Sequence, residues 1–211
     1  MIYHHFFWDF DGTLYDTYSR ITRACLKGLL DQGIQASYQE VYALAKRSLE
    51  EFARVFSARY PGVEAEEIIA AYHAHAEEES IDAVRLYDGA GDMLKTVIQQ
   101  GGCNYLFTHR GESAFKFLRR DGLEELFADR VTSLDGFPRK PAPDALNYLI
   151  RKHGLVLGEC VMLGDRDIDL DAGKNAGMAC ALFDPEDFYP DYETPWRFRD
   201  MRALREALAG P

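Results

Sequence analysis

The sequence predicts an α/β fold: a Rossmann-like parallel sheet with helices on both faces, carrying an inserted α-helical cap domain. Three observations predict it. From about residue 89 onward, short apolar runs alternate with helical stretches, and strand-helix alternation of this kind builds a parallel sheet. Between Tyr18 and about Leu86 the pattern is helical, with no convincing strand. Polar residues able to do chemistry fall just after the apolar runs, where open parallel sheets bind their ligands. The expected division is a core of residues 1–16 and 87–211 and a helical cap of residues 17–86.

The first strand is read over Ile2 to Trp8, an apolar run that ends abruptly at Asp9. In the insertion, Leu26, Leu29 and Leu30 fall on one helical stripe, as do Leu49, Phe52, Val55 and Phe56, while Ile68, Ile69 and Tyr72 begin a third. Pro61-Gly62 marks a turn between two of these helices, and the chain returns to the sheet near Tyr87-Asp88-Gly89. Helices are expected over Ala90 to Gln100, Glu112 to Arg120, Pro143 to His153 and Asp167 to Asn175. They alternate with strands over Asn104 to Phe107, Val131 to Ser133, Val161 to Leu163 and Ala179 to Phe183. Phe115 and Leu118 read as core packing, and Pro185 to Trp196 as an aromatic-rich surface loop before a last helix.

With 47% hydrophobic residues in 211, the chain can bury a substantial apolar interior. The 35 acidic against 24 basic residues give a formal charge of -11, which repels a polyphosphate backbone, and no basic stripe interleaved with aromatics offsets it. Nucleic acid is therefore not an expected partner. Cys25, Cys103, Cys160 and Cys180 form no CxxC pair, so neither a zinc site nor a redox motif is indicated. The N-terminal apolar run lacks a basic leader, and no segment approaches the roughly 20 apolar residues that span a bilayer. No membrane association and a cytoplasmic location are the expectation.

Four expected strands deliver chemistry at their ends. The first runs into Asp9-Phe10-Asp11-Gly12-Thr13, the second into Thr108-His109-Arg110-Gly111, and the fourth into Gly164-Asp165; the third is followed by Arg139-Lys140-Pro141. Clustered carboxylates repel unless a cation or proton intervenes, and hard divalent cations take oxygen ligands. Magnesium suits a site with few carboxylates plus a substrate phosphate. Phosphoryl transfer needs an aligned nucleophile and charge stabilisation, which Asp9, a metal, Lys140, Thr108 and loop N–H groups can supply. Asp11, two residues from Asp9, suits proton handling beside it. An EF-hand fails on counting: the sixth and twelfth positions from Asp9 are Leu14 and Arg20, and from Asp165 they are Leu170 and Ala176. On a helix beginning near Asp165, Asp169 shares its face. His4, His5, His73 and His75 read as non-catalytic. Lys46, Arg47 and Ser48, between two expected cap helices, are placed to read a substrate carboxylate or second phosphate.

The ordered motifs DFDGTLYDT, FTHRGE, RKPAPDAL and LGDRDIDLDAG resemble those of the haloacid dehalogenase-like superfamily, and more closely its phosphoglycolate-phosphatase-like branch with a helical cap. The resemblance implies a phosphatase acting on a small phosphorylated metabolite. It implies that Asp9 is the nucleophile forming an aspartyl-phosphate, and that Asp11 protonates the leaving alcohol and later activates water. Asp9, the main-chain carbonyl of Asp11 and Asp165 would hold Mg2+, with Asp169 supporting its waters; Thr108, Lys140 and the main chain at His109 would bind the phosphoryl group. The cap would select the substrate. Two departures are Leu86-Tyr87-Asp88-Gly89, where many relatives have proline before the glycine, and His109, where asparagine is common. Dehalogenase and phosphonatase relatives lack an aspartate at the Asp11 position. A sugar phosphomutase, or a phosphate-binding regulatory module without turnover, is the alternative expectation.

Overall fold

The computed structural model describes residues 1–78 and 80–209, and they form two units, Met1–Tyr15 with the chain from Leu86 onward, and Asp16–Arg85. Each boundary falls one residue earlier than the sequence pattern places it. The two-residue strands β2 (Tyr15–Asp16) and β3 (Arg85–Leu86) mark the points where the chain leaves and re-enters the first unit.

The first unit is built on a six-stranded sheet. Its strands are β1 (His5–Trp8), β4 (Cys103–Phe107), β5 (Phe127–Val131), β6 (Cys160–Gly164), β7 (Ala179–Phe183) and β8 (Trp196–Phe198). Their order is β5-β4-β1-β6-β7-β8, and every pairing is parallel. β1 is central: Phe6, Phe7 and Trp8 are wholly buried, because helices cover both faces and a strand there needs no polar side. Phe7, Tyr105 and Met162 share one apolar cluster with Leu146 and Leu149 of α7 (Asp144–His153) and Leu170 of α8 (Asp167–Ala176). Each such side chain contributes roughly 1.5–3 kcal/mol on burial. The indole N–H of Trp8 is satisfied by buried Asn104, whose amide donates in turn to the carbonyls of Leu94 and Leu126. Helix α5 (Ala90–Gln99) packs against β4 and against α9 (Met201–Leu208), while α6 (Ser113–Arg120) follows β4 and buries Phe115 and Leu118.

Two elements of this sheet depart from the sequence pattern. The third sheet run is Phe127–Val131, not Val131 to Ser133, and Ser133 instead opens a single turn of 3-10 helix. As an edge strand it alternates half-buried Phe127 and Asp129 with exposed Ala128 and Arg130, so its charged residues masked it. The expected loop up to Trp196 closes on β8, which pairs with β7 and is too short to show a period.

The second unit is helical: α1 (Tyr18–Asp31), α2 (Tyr38–Arg47), α3 (Leu49–Arg59) and α4 (Ala65–Glu78). Cys25, Leu29, Val41, Phe52, Phe56 and Ile68 make its core. Leu30, expected on the inner stripe, is 62% exposed, because the buried face of α1 runs through Ile21, Ala24, Cys25, Gly28 and Leu29. Among the described residues, no helix is long and apolar enough to cross a membrane.

Candidate active site

Register brings the strand ends together. Trp8 lies opposite both Leu106 and Leu163, so Asp9 emerges level with Phe107 and Gly164, and its N–H donates to the Leu163 carbonyl at 2.9 Å. The chain then turns sharply. Gly12 adopts φ of 80°, in the left-handed region that favours glycine, and its N–H bonds the Tyr15 carbonyl.

Asp9, Asp165 and Asp169 are all buried, and each offers a carboxylate oxygen within 4.8 Å of the others. Asp165 sits on the turn after β6 and ahead of α8, with Arg166 at the helix N-cap, so the two later aspartates converge across a strand-to-helix turn and not along one helix. Asp169 Oδ2 accepts the Arg166 N–H at 3.1 Å, capping the helix, while Oδ1 faces Lys140. Gly164 makes this possible: a Cβ there would stand 2.1 Å from the Asp169 Cβ.

Lys140 reaches into the cluster from the segment ahead of α7. Its Nζ lies 2.5 Å from Asp9 Oδ1 and 2.8 Å from Asp169 Oδ1, and 4.6 Å from the centre of the Phe107 ring. Burial works against its charge, but Asp169 and Asp9 outweigh it and hold the ammonium above the usual lysine range. Burial and the Asp169 carboxylate push Asp9 up to about 6, against Lys140 and Arg166. Burial also opposes the charge of Asp169, yet Lys140 and Arg166 hold it below the ordinary carboxylate range. Arg166 Nε completes the set at 3.9 Å from Asp165 and 4.0 Å from Asp169.

Among the described residues, the buried Asp9 Oδ2 has no hydrogen-bond partner. An orphaned carboxylate oxygen inside a trio of buried aspartates fits a hard divalent cation, which prefers oxygen ligands and offsets their mutual repulsion.

Thr108 is buried at the end of β4; its hydroxyl accepts the Arg110 N–H at 3.0 Å, and its own N–H meets the Val131 carbonyl. No local pattern marks a role for the His109 ring, yet its Nε2 accepts the Lys140 backbone N–H at 2.8 Å. Burial first, then Lys140 and Arg139, lowers its pKa to about 3, so the ring is a neutral acceptor. Asp11 does not join the carboxylate trio; its side chain is gripped by Arg110, whose Nε donates at 3.2 and 3.1 Å and whose Nη2 also bonds Oδ1. The sequence pattern does not single out Arg110 or Arg166. Each is a cation beside a motif residue, the only signal that marks them.

In the second unit, the Lys46 ammonium is buried, 5.3 Å from the Tyr18 ring centre and 5.9 Å from that of Tyr42. Arg47 is exposed, 3.8 Å from Glu51. Ser48 is the N-cap of α3, its hydroxyl accepting the Glu51 N–H at 2.8 Å.

A family model described as haloacid dehalogenase-like hydrolase matches residues 6–183. A pyrophosphatase, PpaX, of Halalkalibacterium halodurans is 30% identical over 68% of this chain and 69% of its own. A phosphoglycolate phosphatase of Vibrio vulnificus is 38% identical over 46% of this chain, a match that spans 42% of that protein. The crystal structure of a hydrolase from Streptococcus pneumoniae superposes with a TM-score of 0.66 at 29% identity, covering 99% of both chains.

Proposed function

The chain belongs to the haloacid dehalogenase-like hydrolase family, and on that premise we propose that it is a Mg2+-dependent phosphatase that hydrolyses a small-molecule phosphomonoester through an aspartyl-phosphate on Asp9. One observation carries this reading: the Asp9 carboxylate is buried at the tip of the central strand, with one oxygen against Lys140 and the other without a partner among the described residues.

An Asp9 oxygen attacks phosphorus as the bond to the leaving oxygen breaks, and Asp11 gives that oxygen a proton. Asp11, now a carboxylate, takes a proton from water, whose oxygen adds to phosphorus; the bond from Asp9 to phosphorus breaks, releasing inorganic phosphate and restoring Asp9. Lys140 supplies fixed positive charge beside the attacking carboxylate, and the Thr108 hydroxyl with loop N–H groups takes the phosphoryl oxygens. Asp9, Asp165 and the Asp11 carbonyl would hold the metal, with Asp169 behind them; when bound, Mg2+ supplies positive charge for the phosphoryl oxygens. Residues 16–85 select the substrate, with Lys46 and Arg47 as the cations that read it.

Similarity to a pyrophosphatase favours a second reading in which the leaving group is itself phosphate. Release of phosphate from an aryl phosphate, from pyrophosphate and from a panel of sugar, nucleotide and short-acid phosphates, with and without Mg2+, distinguishes the two. Asp9→Asn is expected to abolish release from every substrate. Undiminished turnover by a folded Asp9→Asn protein excludes the intermediate.

A further inference from the structure

Arg110 stands two residues beyond Thr108 and joins the end of β4 to the turn after β1. Its backbone N–H donates to the Thr108 hydroxyl at 3.0 Å. Its guanidinium takes both oxygens of Asp11, with Nε at 3.2 Å from Oδ1 and 3.1 Å from Oδ2, and Nη2 also on Oδ1. Nη1 donates to Ser113 Oγ at 3.4 Å. The guanidinium carbon lies 5.4 Å from the centre of the Phe10 ring and 5.5 Å from that of Phe117. The pair is not a loose surface contact, since the side chains of Arg110 and Asp11 are only 11% and 22% exposed.

Each contact removes a degree of freedom. The aromatic faces and Ser113 restrict the guanidinium, and a planar fork meeting both carboxylate oxygens fixes the carboxylate's tilt as well as its position. A lysine ammonium, a point charge on a flexible stem, does neither. A carboxylate held in this way stays ionised and fixed in orientation, the state in which it can take a proton from water. That is the task of the second half-reaction, in which water attacks the phosphorylated aspartate.

We infer that Arg110 is a positioning residue that fixes the Asp11 carboxylate as acceptor for the attacking water, so that it serves hydrolysis of the phosphorylated Asp9 more than its formation. The inference rests on the reading under Proposed function, in which Asp9 carries the phosphoryl group. In the step concerned, water's oxygen forms the new bond to phosphorus, its proton passes to Asp11, and the bond between Asp9 and phosphorus breaks.

The test uses an aryl phosphate whose leaving phenolate departs without needing a proton, so that the first half-reaction does not depend on Asp11. In rapid-mixing experiments on the full chain with Mg2+, the burst of phenolate reports formation of the phosphorylated enzyme, and the steady rate that follows reports its hydrolysis. Arg110→Gln is expected to keep the burst and to slow the steady rate by about tenfold, less than the roughly 10²-fold or more that losing the general base itself would cost. The ratio of burst to steady rate therefore rises. Arg110→Lys, which keeps the charge but not the fork, falls between the two, and it decides the matter if Arg110→Gln does not fold. Equal loss in both phases, or no change in either, overturns the inference and assigns Arg110 to structure alone. Absence of any phosphorylated enzyme in wild type and in Asp11→Asn, trapped by acid quench, instead overturns the reading of Asp9.

Discussion

The backbone N–H of Lys140 donates to Nε2 of His109 at 2.8 Å, so the imidazole ties the loop after β4 to the segment that carries the buried lysine. The bond requires a neutral ring, and burial, reinforced by Lys140 and Arg139, lowers the His109 pKa to about 3 from 6.5. Between those values the unfolded chain binds a proton at this position that the folded chain refuses. Stability from His109 is therefore full above about pH 6.5 and is lost as the pH falls toward 3. Asparagine keeps an acceptor and does not titrate. Urea denaturation of wild type and His109→Asn from pH 7 to pH 4 should show the wild-type advantage shrinking as pH falls; a constant difference contradicts the assignment.

Lys140 separates two buried carboxylates, 2.5 Å from Asp9 and 2.8 Å from Asp169. Lys140→Met leaves them facing each other without that cation, and breaking a buried ion pair on one side costs about 3–5 kcal/mol. The metal-free variant should be destabilised by that order and should lose phosphatase activity. Added Mg2+ should raise its thermal midpoint more than it raises that of wild type, because the cation relieves a larger repulsion. Equal Mg2+ shifts in the two proteins count against the carboxylate trio as the metal site.

Gly164 carries no side chain because the Asp169 carboxylate occupies the space, 2.1 Å from Cβ to Cβ. In Gly164→Ala either the β6 tip or the start of α8 must move. Overpacking of this kind costs about 1–3 kcal/mol. The variant should unfold at a lower temperature and lose activity together, since Asp169 is displaced from Lys140. An alanine variant with wild-type stability and turnover refutes this close approach.

Ser48 caps α3, and removing such a cap costs about 1 kcal/mol. Ser48→Ala should therefore lower stability by about that amount while leaving KM for the preferred substrate unchanged. Lys46→Ala and Arg47→Ala, in contrast, should raise KM for that substrate and spare a generic aryl phosphate. A raised KM in Ser48→Ala returns the hydroxyl to substrate reading.

Much of the first unit was legible because its strands are short apolar runs punctuated by polar turns, and the residues after each run are those that meet at the sheet ends. Asp9, Asp165, Asp169 and Lys140 converge as the motif spacing leads one to expect. Edge strands were harder to read. Phe127–Val131 carries Asp129 and Arg130, and Trp196–Phe198 is three residues long, so neither shows a clean period. The supporting contacts were hidden for another reason. Arg110 meets Asp11 across 99 positions of sequence, and His109 meets Lys140 across 31, and no local pattern encodes a partner that only the folded sheet brings near.

β1 precedes by a long stretch both strands that flank it in the sheet: His5 pairs with Cys103 on one side and Cys160 on the other. Loops this long must close before parallel pairing is rewarded, which slows folding and leaves apolar edges open meanwhile. Phe6, Phe7 and Trp8 therefore lack one flanking strand until Cys103–Phe107 is made and the other until Cys160–Gly164 follows.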